Sequence, residues 1–185
     1  MKKRDYFITN EAVKYWKKEV KSGRLHVARS GDKTYIVNSY NAFVIPANPI
    51  LYETLVQPAT LRPGPDDGKA QIWKNGEYYE EPATETVRLV ENILSENTNT
   101  VNRTPFTMDV GNGTIRIYKL ASGALAGIDV KYDAMVDFSF SHTAAMANPK
   151  APAVFRSGDF TALLLPVYKP ELETWARALT GGESK

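Results

Sequence analysis

Four lysines near the beginning of the chain are the residues whose type and spacing most clearly suggest a function. Lys14, Lys17, Lys18 and Lys21 recur at intervals of three and four residues, which places their side chains along one face of an α-helix. A stripe of ammonium groups can bind double-stranded DNA without reading the bases, because each neutralised phosphate releases condensed counterions. The alternative is a lysine-rich helix face that contacts only water, as charge runs of this size often do.

The distribution of charge along the chain also favours an anionic partner for the first segment. The whole chain of 185 residues has a formal net charge of +2. Residues 1–40 contain ten basic and four acidic residues, a net charge of +6, whereas the other 145 residues contain 13 basic and 17 acidic residues, a net charge of −4. Such an asymmetry is typical of a segment that meets an anionic surface.

No group of residues in the sequence has the spacing of an active site. The two histidines, His26 and His142, do not form a pair at metal-ligand spacing. The carboxylate pairs Asp66-Asp67 and Glu80-Glu81 are adjacent in sequence, so their side chains point apart in an extended chain. Cysteine is absent, which excludes disulfides and thiolate chemistry. We expect no catalysis, metal or cofactor, although an enzyme with scattered acid and base residues stays an open alternative.

The lysines belong to a predicted helix at residues 10–21. Asn10 is the expected N-cap, and Gly23 lies just beyond the C-terminal end, where glycine commonly stops a helix. Apolar residues that include Trp16 recur on another side of this helix and would face a core.

Strand-like runs, turns and a second helix follow in the N-terminal half. The segment 50–56 fits either a helical turn or a strand, and residues 62–69 contain the prolines and glycines of an exposed loop. The predicted elements are strands at 24–29 and 34–45, a hairpin around Asn75-Gly76, and a helix at 84–94.

The polar segment 95–104 predicts a boundary between an N-terminal half, residues 1–97, and a strand-rich C-terminal half, residues 104–185, within one compact domain.

The C-terminal half is predicted to begin its helices with a short one that Asp129 would cap. Strands are expected at 106–110, 114–120, 124–128, 153–156 and 160–167, and a closing helix at 171–179. The leucines at 163–165 indicate a strand that is buried on both faces or whose outer face meets something apolar. The predicted fold class is α+β, with antiparallel sheets and two to four helices.

Three stretches of the C-terminal half resemble the last part of the bacterial DNA sliding clamp, the processivity factor of the replicative polymerase. They are residues 128–136 (IDVKYDAMV), 152–155 (PAVF) and 160–167 (FTALLLPV). In that family a short helix near a Tyr-Leu pair is followed by a proline-led strand. A final strand of large apolar residues then precedes Met-Pro and a basic residue.

The resemblance implies a sliding-clamp-like processivity fold, with helices on one side of curved antiparallel sheets. In the family these helices line a ring around double-stranded DNA, and the apolar C-terminal end borders a pocket for partner peptides. Leu165, Pro166 and Val167 would border such a pocket here, and the lysine helix would face the DNA. A family chain carries three such domains, whereas 185 residues hold one, or one and part of another, so a ring would need several copies.

The sequence therefore predicts a non-enzymatic binding protein of the cytoplasm, associated with DNA in replication or in a mobile element. The alternative is a phage or mobile-element protein that binds a host protein without contacting DNA. We expect no membrane association, because no window approaches the ~18 apolar residues of a membrane span. The N-terminal stretch MKKRDYFITN also lacks the apolar region of a secretory signal.

Overall fold

A single antiparallel sheet of eleven strands is the main element of the structure, a computed structural model that describes residues 6–96, 99–111 and 113–180. The strands are β1 (His26–Ser30), β2 (Lys33–Val37), β3 (Asn41–Pro46), β4 (Lys69–Lys74), β5 (Glu77–Pro82), β6 (Asn99–Asp109), β7 (Thr114–Leu120), β8 (Leu125–Asp129), β9 (Thr143–Met146), β10 (Ala153–Ser157) and β11 (Phe160–Leu164). Their order across the sheet is β5-β4-β1-β2-β3-β11-β10-β9-β6-β7-β8.

Five helical segments accompany the sheet in the described part of the chain. They are α1 (Asn10–Lys21), a continuous segment over residues 49–60, α4 (Thr84–Glu96), α5 (Val130–Asp133) and α6 (Pro170–Thr180). The segment 49–60 consists of α2 (Pro49–Leu51), a π-helical turn (Tyr52–Val56) and α3 (Gln57–Thr60). The α+β prediction is confirmed. There is one more helical segment than the predicted upper limit, because residues 49–60 are helical.

Within the described residues, no helix has both the length and the hydrophobicity needed to cross a membrane.

Helix α1 has the predicted bounds but a different N-cap. Thr9, not Asn10, precedes the first turn in an extended conformation, and its hydroxyl accepts a hydrogen bond from the Glu11 N–H at 3.2 Å. The same hydroxyl donates to the carbonyl of Ala134 at 2.7 Å. Thr9 therefore connects the start of α1 to the residue that follows α5, and that contact between distant segments selects Thr9 over Asn10.

The C-terminal end of α1 confirms the predicted role of Gly23. This residue has φ = 65°, a left-handed conformation that glycine adopts without steric cost. The turn lets the Arg24 N–H donate to the Glu19 carbonyl at 2.9 Å and the Gly23 N–H donate to the Val20 carbonyl at 3.1 Å. These are the two bonds of a Schellman motif.

The sheet consists of two halves with similar connectivity. Helix α1 precedes the three sequential antiparallel strands β1, β2 and β3, and helix α5 precedes β9, β10 and β11 in the same way. The last strands of the two halves, β3 and β11, pair antiparallel in the middle of the sheet. Strand β4 extends the sheet beyond β1, and β6 extends it beyond β9. Helices α1 and α5 thus have equivalent places in the topology.

Both faces of the sheet are covered by helices, whereas the resemblance implied helices on one side. Alternate strand residues contribute to two separate cores, because successive side chains of a strand point to opposite faces. Trp16 of α1, Leu55 of segment 49–60 and Tyr132 of α5 pack in one core. Val90 of α4 packs in the other. Leu172 of α6 packs on Ile115, Ile117 and Leu125.

Leu163 and Leu164 confirm a strand that is buried on both faces, but this strand ends at Leu164 and not at the predicted residue 167. Leu163 is buried in the core beneath α4, and Leu164 is buried in the core beneath α1. Leu165 follows the end of β11 and is 40% exposed. The apolar run therefore crosses the centre of the sheet and ends with a side chain that contacts solvent.

Two stretches of the chain differ from their sequence predictions. The predicted strand at 34–45 is divided into β2 and β3, because the Asn38 side chain accepts hydrogen bonds from the N–H groups of Tyr40 and Asn41 and forms a turn. Residues 99–104, predicted as irregular, begin strand β6, which pairs with β9 and β7. Most β6 side chains are exposed, so the sequence lacks an apolar alternation there. The division into two halves stays a prediction.

Candidate functional site

The four lysines form an exposed stripe on the outer face of α1. Lys14, Lys17, Lys18 and Lys21 are all exposed, and the buried residues of the helix, Ala12, Trp16 and Glu19, lie on its opposite side. We call these four residues the lysine stripe. Lys14 Nζ lies 2.6 Å from Glu11 Oε1. Within the described residues, the other three lysines have no acidic partner at ion-pair distance.

Arg24 extends the positive charge beyond the end of α1. Its Nε and Nη2 each donate a hydrogen bond to the Glu19 carboxylate at 3.1 Å. Glu19 is fully buried, whereas the Arg24 side chain is 47% exposed. The Glu19 carboxylate raises the pKa of the Arg24 guanidinium, so this group stays charged. Three of its five N–H groups take no part in the Glu19 pair and can serve an anionic ligand.

The C-terminal segment with Leu165, Pro166 and Val167 crosses from the centre of the sheet to its edge strand β8. The Leu165 N–H donates to the Tyr40 carbonyl at 3.0 Å, and the Val167 N–H donates to the Gly127 carbonyl at 2.7 Å. These two bonds hold the segment between the β2–β3 turn and β8. Leu165 is exposed, and Pro166 and Val167 are half-buried.

The structure brings one residue from each predicted site into the same cleft. Lys18 of the lysine stripe and Val167 of the C-terminal segment line a cleft of about 370 Å³. Three tyrosines also line it, together with Arg24 and Lys131. We call it the tyrosine cleft, and its aromatic residues are Tyr15, Tyr40 and Tyr132.

The three tyrosine rings are arranged around Tyr132. Tyr15 meets it edge-on, with ring centroids 5.4 Å apart and hydroxyl oxygens 3.3 Å apart. Tyr40 stacks on it, with centroids 5.8 Å apart and ring planes inclined by 18°. The Lys131 ammonium lies 4.6 Å from the centre of the Tyr132 ring and 2.8 Å from Asp129 Oδ2. Burial raises the pKa of Tyr15, so its hydroxyl stays protonated.

A second cleft also has Val167 in its lining and is more apolar. It has a volume of about 410 Å³, and its lining includes Leu125, Val167, Tyr168 and Leu172. We call it the apolar cleft. The Lys150 ammonium lies 4.3 Å from the centre of the Tyr168 ring at this cleft. Of the three residues predicted to border a peptide pocket, Val167 alone lines a described cleft.

Asp133, the last residue of α5, is a buried carboxylate with several partners. Arg103 donates two hydrogen bonds to its carboxylate, at 3.0 and 2.6 Å, and Tyr118 donates a third. Arg116 Nε lies 3.8 Å from the same carboxylate. Burial raises the pKa of the Tyr118 hydroxyl, which therefore remains a donor. The three partners hold α5 against β6 and β7, a structural role.

The remaining polar residues considered in the sequence are separated from one another. His26 is half-buried in β1, and burial lowers its pKa. His142 Nδ1 lies 2.8 Å from the Phe140 carbonyl, and its ring packs among phenylalanines. Asp67 accepts a hydrogen bond from the Gly31 N–H at 2.8 Å. In the described ranges, no three His, Asp or Glu side chains are grouped as metal ligands.

Sequence reasoning did not identify the tyrosines of the cleft. Tyr15, Tyr40 and Tyr132 come from α1, the β2–β3 turn and α5, so no local spacing connects them. One available signal was Asn38, since asparagine followed by two small or polar residues is typical of a turn. That turn would have placed Tyr40 at the end of a hairpin.

In comparisons with models of known protein families and with curated protein sequences, no match to this chain is found.

Proposed function

We propose that this protein is a non-enzymatic binding protein that associates with double-stranded DNA through the lysine stripe. The observation that supports the proposal is the exposure of Lys14, Lys17, Lys18 and Lys21 along one face of α1, three of them without an acidic partner in the described residues. From Lys14 to Lys21 the stripe is roughly 10 Å long at 1.5 Å per residue. Measured along the duplex axis, where each strand carries one phosphate per ~3.4 Å, that length corresponds to about three phosphates.

We also propose that the domain is sliding-clamp-like, with α1 and α5 on the DNA side. Two observations support this proposal. Helices α1 and α5 pack in the same core and contact each other through Tyr15 and Tyr132. The residues that carry the resemblance form α5, β10 and β11 in sequence order. The setting would be replication or a mobile element in the cytoplasm. Copies of the protein would have to associate to encircle DNA.

The experiment that tests the DNA-binding proposal measures the affinity for a fluorescently labelled 20-base-pair duplex by anisotropy between 50 and 200 mM NaCl. In one variant, all four lysines of the stripe are changed to alanine. We expect the affinity of this variant to fall at least tenfold at 50 mM NaCl. The slope of log affinity against log salt should become shallower by about 2 to 4, because each lost phosphate contact removes ~0.9 from the slope.

A matched variant separates the stripe from the net charge of the protein. Lys69, Lys74, Lys119 and Lys150 are also exposed but lie outside α1. Changing these four to alanine removes the same charge and should alter the duplex affinity less than threefold. Equal losses in the two variants would contradict a role for the stripe, and absence of salt-sensitive duplex binding in the unaltered protein would contradict the proposed function.

The second candidate function is the binding of a peptide of a host or replication protein, without DNA contact. The exposed Leu165 and the apolar cleft beside Val167 favour this candidate. Peptides selected from a random library should bind with little dependence on salt, and Val167→Asp should weaken them at least tenfold. Selected peptides that bind Val167→Asp as tightly as the unaltered protein would contradict this function for the cleft.

A further inference from the structure

The tyrosine cleft combines an exposed aromatic side chain with cations. Tyr40 is 45% exposed although one face of its ring stacks on Tyr132. Part of the Tyr40 side chain is therefore accessible to a further planar group. Stacking on an exposed aromatic ring is how proteins bind the bases of single-stranded nucleic acids.

The accessible ring is held in place before any ligand arrives. The Asn38 side chain accepts hydrogen bonds from the Tyr40 and Asn41 N–H groups at 2.8 and 3.2 Å. The Tyr40 carbonyl accepts a bond from the Leu165 N–H at 3.0 Å. The backbone on both sides of the ring is thus fixed, so a stacked ligand would not have to order the β2–β3 turn.

The charges of the cleft suit a phosphate. Lys18 has no acidic partner within the described residues. Arg24 uses two of its N–H groups on Glu19 and keeps three. The two carboxylates that line the cleft are already paired with other cations, because Glu19 is buried against Arg24 and Asp129 pairs with Lys131. An anionic group beside Lys18 would therefore meet uncompensated positive charge.

We propose that the tyrosine cleft binds an unpaired nucleotide of a single-stranded nucleic acid, with its base stacked on Tyr40 and its phosphate contacting Lys18 and Arg24. A duplex cannot supply this base from its interior, since each base there is already stacked between its neighbours. The inference deepens the proposed function, because Lys18 belongs to both the stripe and the cleft. A duplex on the stripe that continues as a single strand would reach the cleft without a gap.

The test compares three labelled probes by anisotropy at 50 mM NaCl: a blunt 20-base-pair duplex, the single strand dT12, and its RNA counterpart U12. Tyr40→Leu removes the ring and should weaken dT12 about tenfold while changing the duplex affinity less than twofold. Tyr40→Phe keeps the ring and should bind dT12 within twofold of the unaltered protein. Tyr79→Leu is the matched control, because Tyr79 is similarly exposed, at 42%, but lies on the edge strand β5 and does not line the tyrosine cleft. Comparison of dT12 with U12 shows whether DNA or RNA is the preferred source of the nucleotide.

Photo-cross-linking provides a second readout that does not depend on a variant. A dT12 strand with 5-iododeoxyuridine in place of thymidine should cross-link to Tyr40, as identified by mass spectrometry of the digested complex. Cross-links confined to other parts of the protein, or equal effects of Tyr40→Leu and Tyr79→Leu on dT12, would overturn the inference.

The outcomes separate this inference from the proposed function. If duplex binding depends on the lysine stripe but dT12 binding is unaffected by Tyr40→Leu, the proposed function is retained and the inference is rejected. If dT12 binding depends on Tyr40 but salt-sensitive duplex binding is absent, the inference is retained and the proposed duplex binding is rejected. Absence of binding to all three probes rejects both.

Discussion

Lys18 and Val167 line one cleft, although they lie near opposite ends of the chain. Lys18 is on α1, and Val167 follows the last strand and is hydrogen-bonded to the edge strand β8. The structure therefore joins the helix expected to contact DNA with the segment expected to contact a peptide. A charge introduced at residue 167 should therefore change the affinity for a ligand that binds Lys18.

A carboxylate at position 167 should weaken nucleic-acid binding by electrostatic repulsion. We expect Val167→Glu to lower the affinity for dT12 about fivefold at 50 mM NaCl, corresponding to ~1 kcal/mol for a like charge within several ångströms of the phosphate. Leu165→Glu adds the same charge at a residue outside the described clefts and should lower the affinity less. The measurement is anisotropy of labelled dT12. Equal effects of the two variants would show that net charge, not the cleft, determines binding.

Loss of the Asp133 carboxylate should destabilise the fold. Asp133→Asn leaves Arg103 and Arg116 without their shared anion beneath α5. Removing one partner of a buried ion pair typically costs about 3 kcal/mol in the free energy of unfolding. Urea denaturation followed by circular dichroism measures this loss.

The less deeply buried carboxylate of Asp129, at the start of the same helix, provides the comparison for Asp133. Asp129 caps α5 by accepting a hydrogen bond from the Lys131 N–H at 2.9 Å. Asp129→Ala should cost only ~1 kcal/mol, the usual value for a lost N-cap. An Asp133→Asn variant as stable as Asp129→Ala would contradict the structural role assigned to the Asp133 pair.

Gly127 should be required for the close packing of β8 against Ile115 of β7 and Leu172 of α6. A Cβ at this position would lie 2.4 Å from Ile115 Cδ1 and 3.2 Å from Leu172 Cδ1. We expect Gly127→Ala to destabilise the protein by about 1 to 3 kcal/mol through overpacking, measured by urea denaturation. Gly113→Ala, whose Cβ would meet nothing within 4 Å, should be close to neutral.

A double variant tests the stated cause of the Gly127 effect. Ile115→Val removes the Cδ1 atom that the new Cβ would approach most closely. In the Ile115→Val background, the Gly127→Ala change should therefore cost clearly less than it does alone. An unchanged cost would mean that overpacking against Ile115 is not the reason for the glycine.

His26 should make folding stability depend on pH. Burial lowers its pKa below the ordinary value of 6.5, so the unfolded chain binds this proton more readily than the folded protein does. The stability contributed by the neutral, buried His26 is fully present above pH ~6.5, the unfolded pKa. It is lost as the pH falls towards the lower pKa of the folded protein. We expect the free energy of unfolding to decrease between pH 7 and pH 5, and His26→Gln to make this decrease smaller. Parallel pH profiles of the two proteins would contradict the prediction.

Local elements with their own start and stop signals could be predicted from the sequence. The bounds of α1 follow from helical periodicity and from Gly23. The hairpin at Asn75-Gly76 forms as expected, with both residues at positive φ. Asp129 caps α5 as predicted. In each case the interactions that define the element lie within a few residues of one another.

Elements defined by distant partners could not be predicted in the same way. Strand β6 is mostly exposed and exists because β7 and β9 pair with it. Thr9 replaces Asn10 as the N-cap of α1 because its hydroxyl also reaches Ala134. Neither relationship leaves a periodic pattern in the sequence.

The candidate site shows the same division. By itself, the sequence determined that Lys14, Lys17, Lys18 and Lys21 share one face of a helix, since 3.6 residues per turn align them regardless of the surroundings. Only the tertiary structure decided which residues lie beside that face. The pairing of β3 with β11 in the middle of the sheet brings the two halves together and places Tyr40 and Tyr132 in contact. The cleft is a product of long-range strand pairing, and no local rule of spacing encodes it.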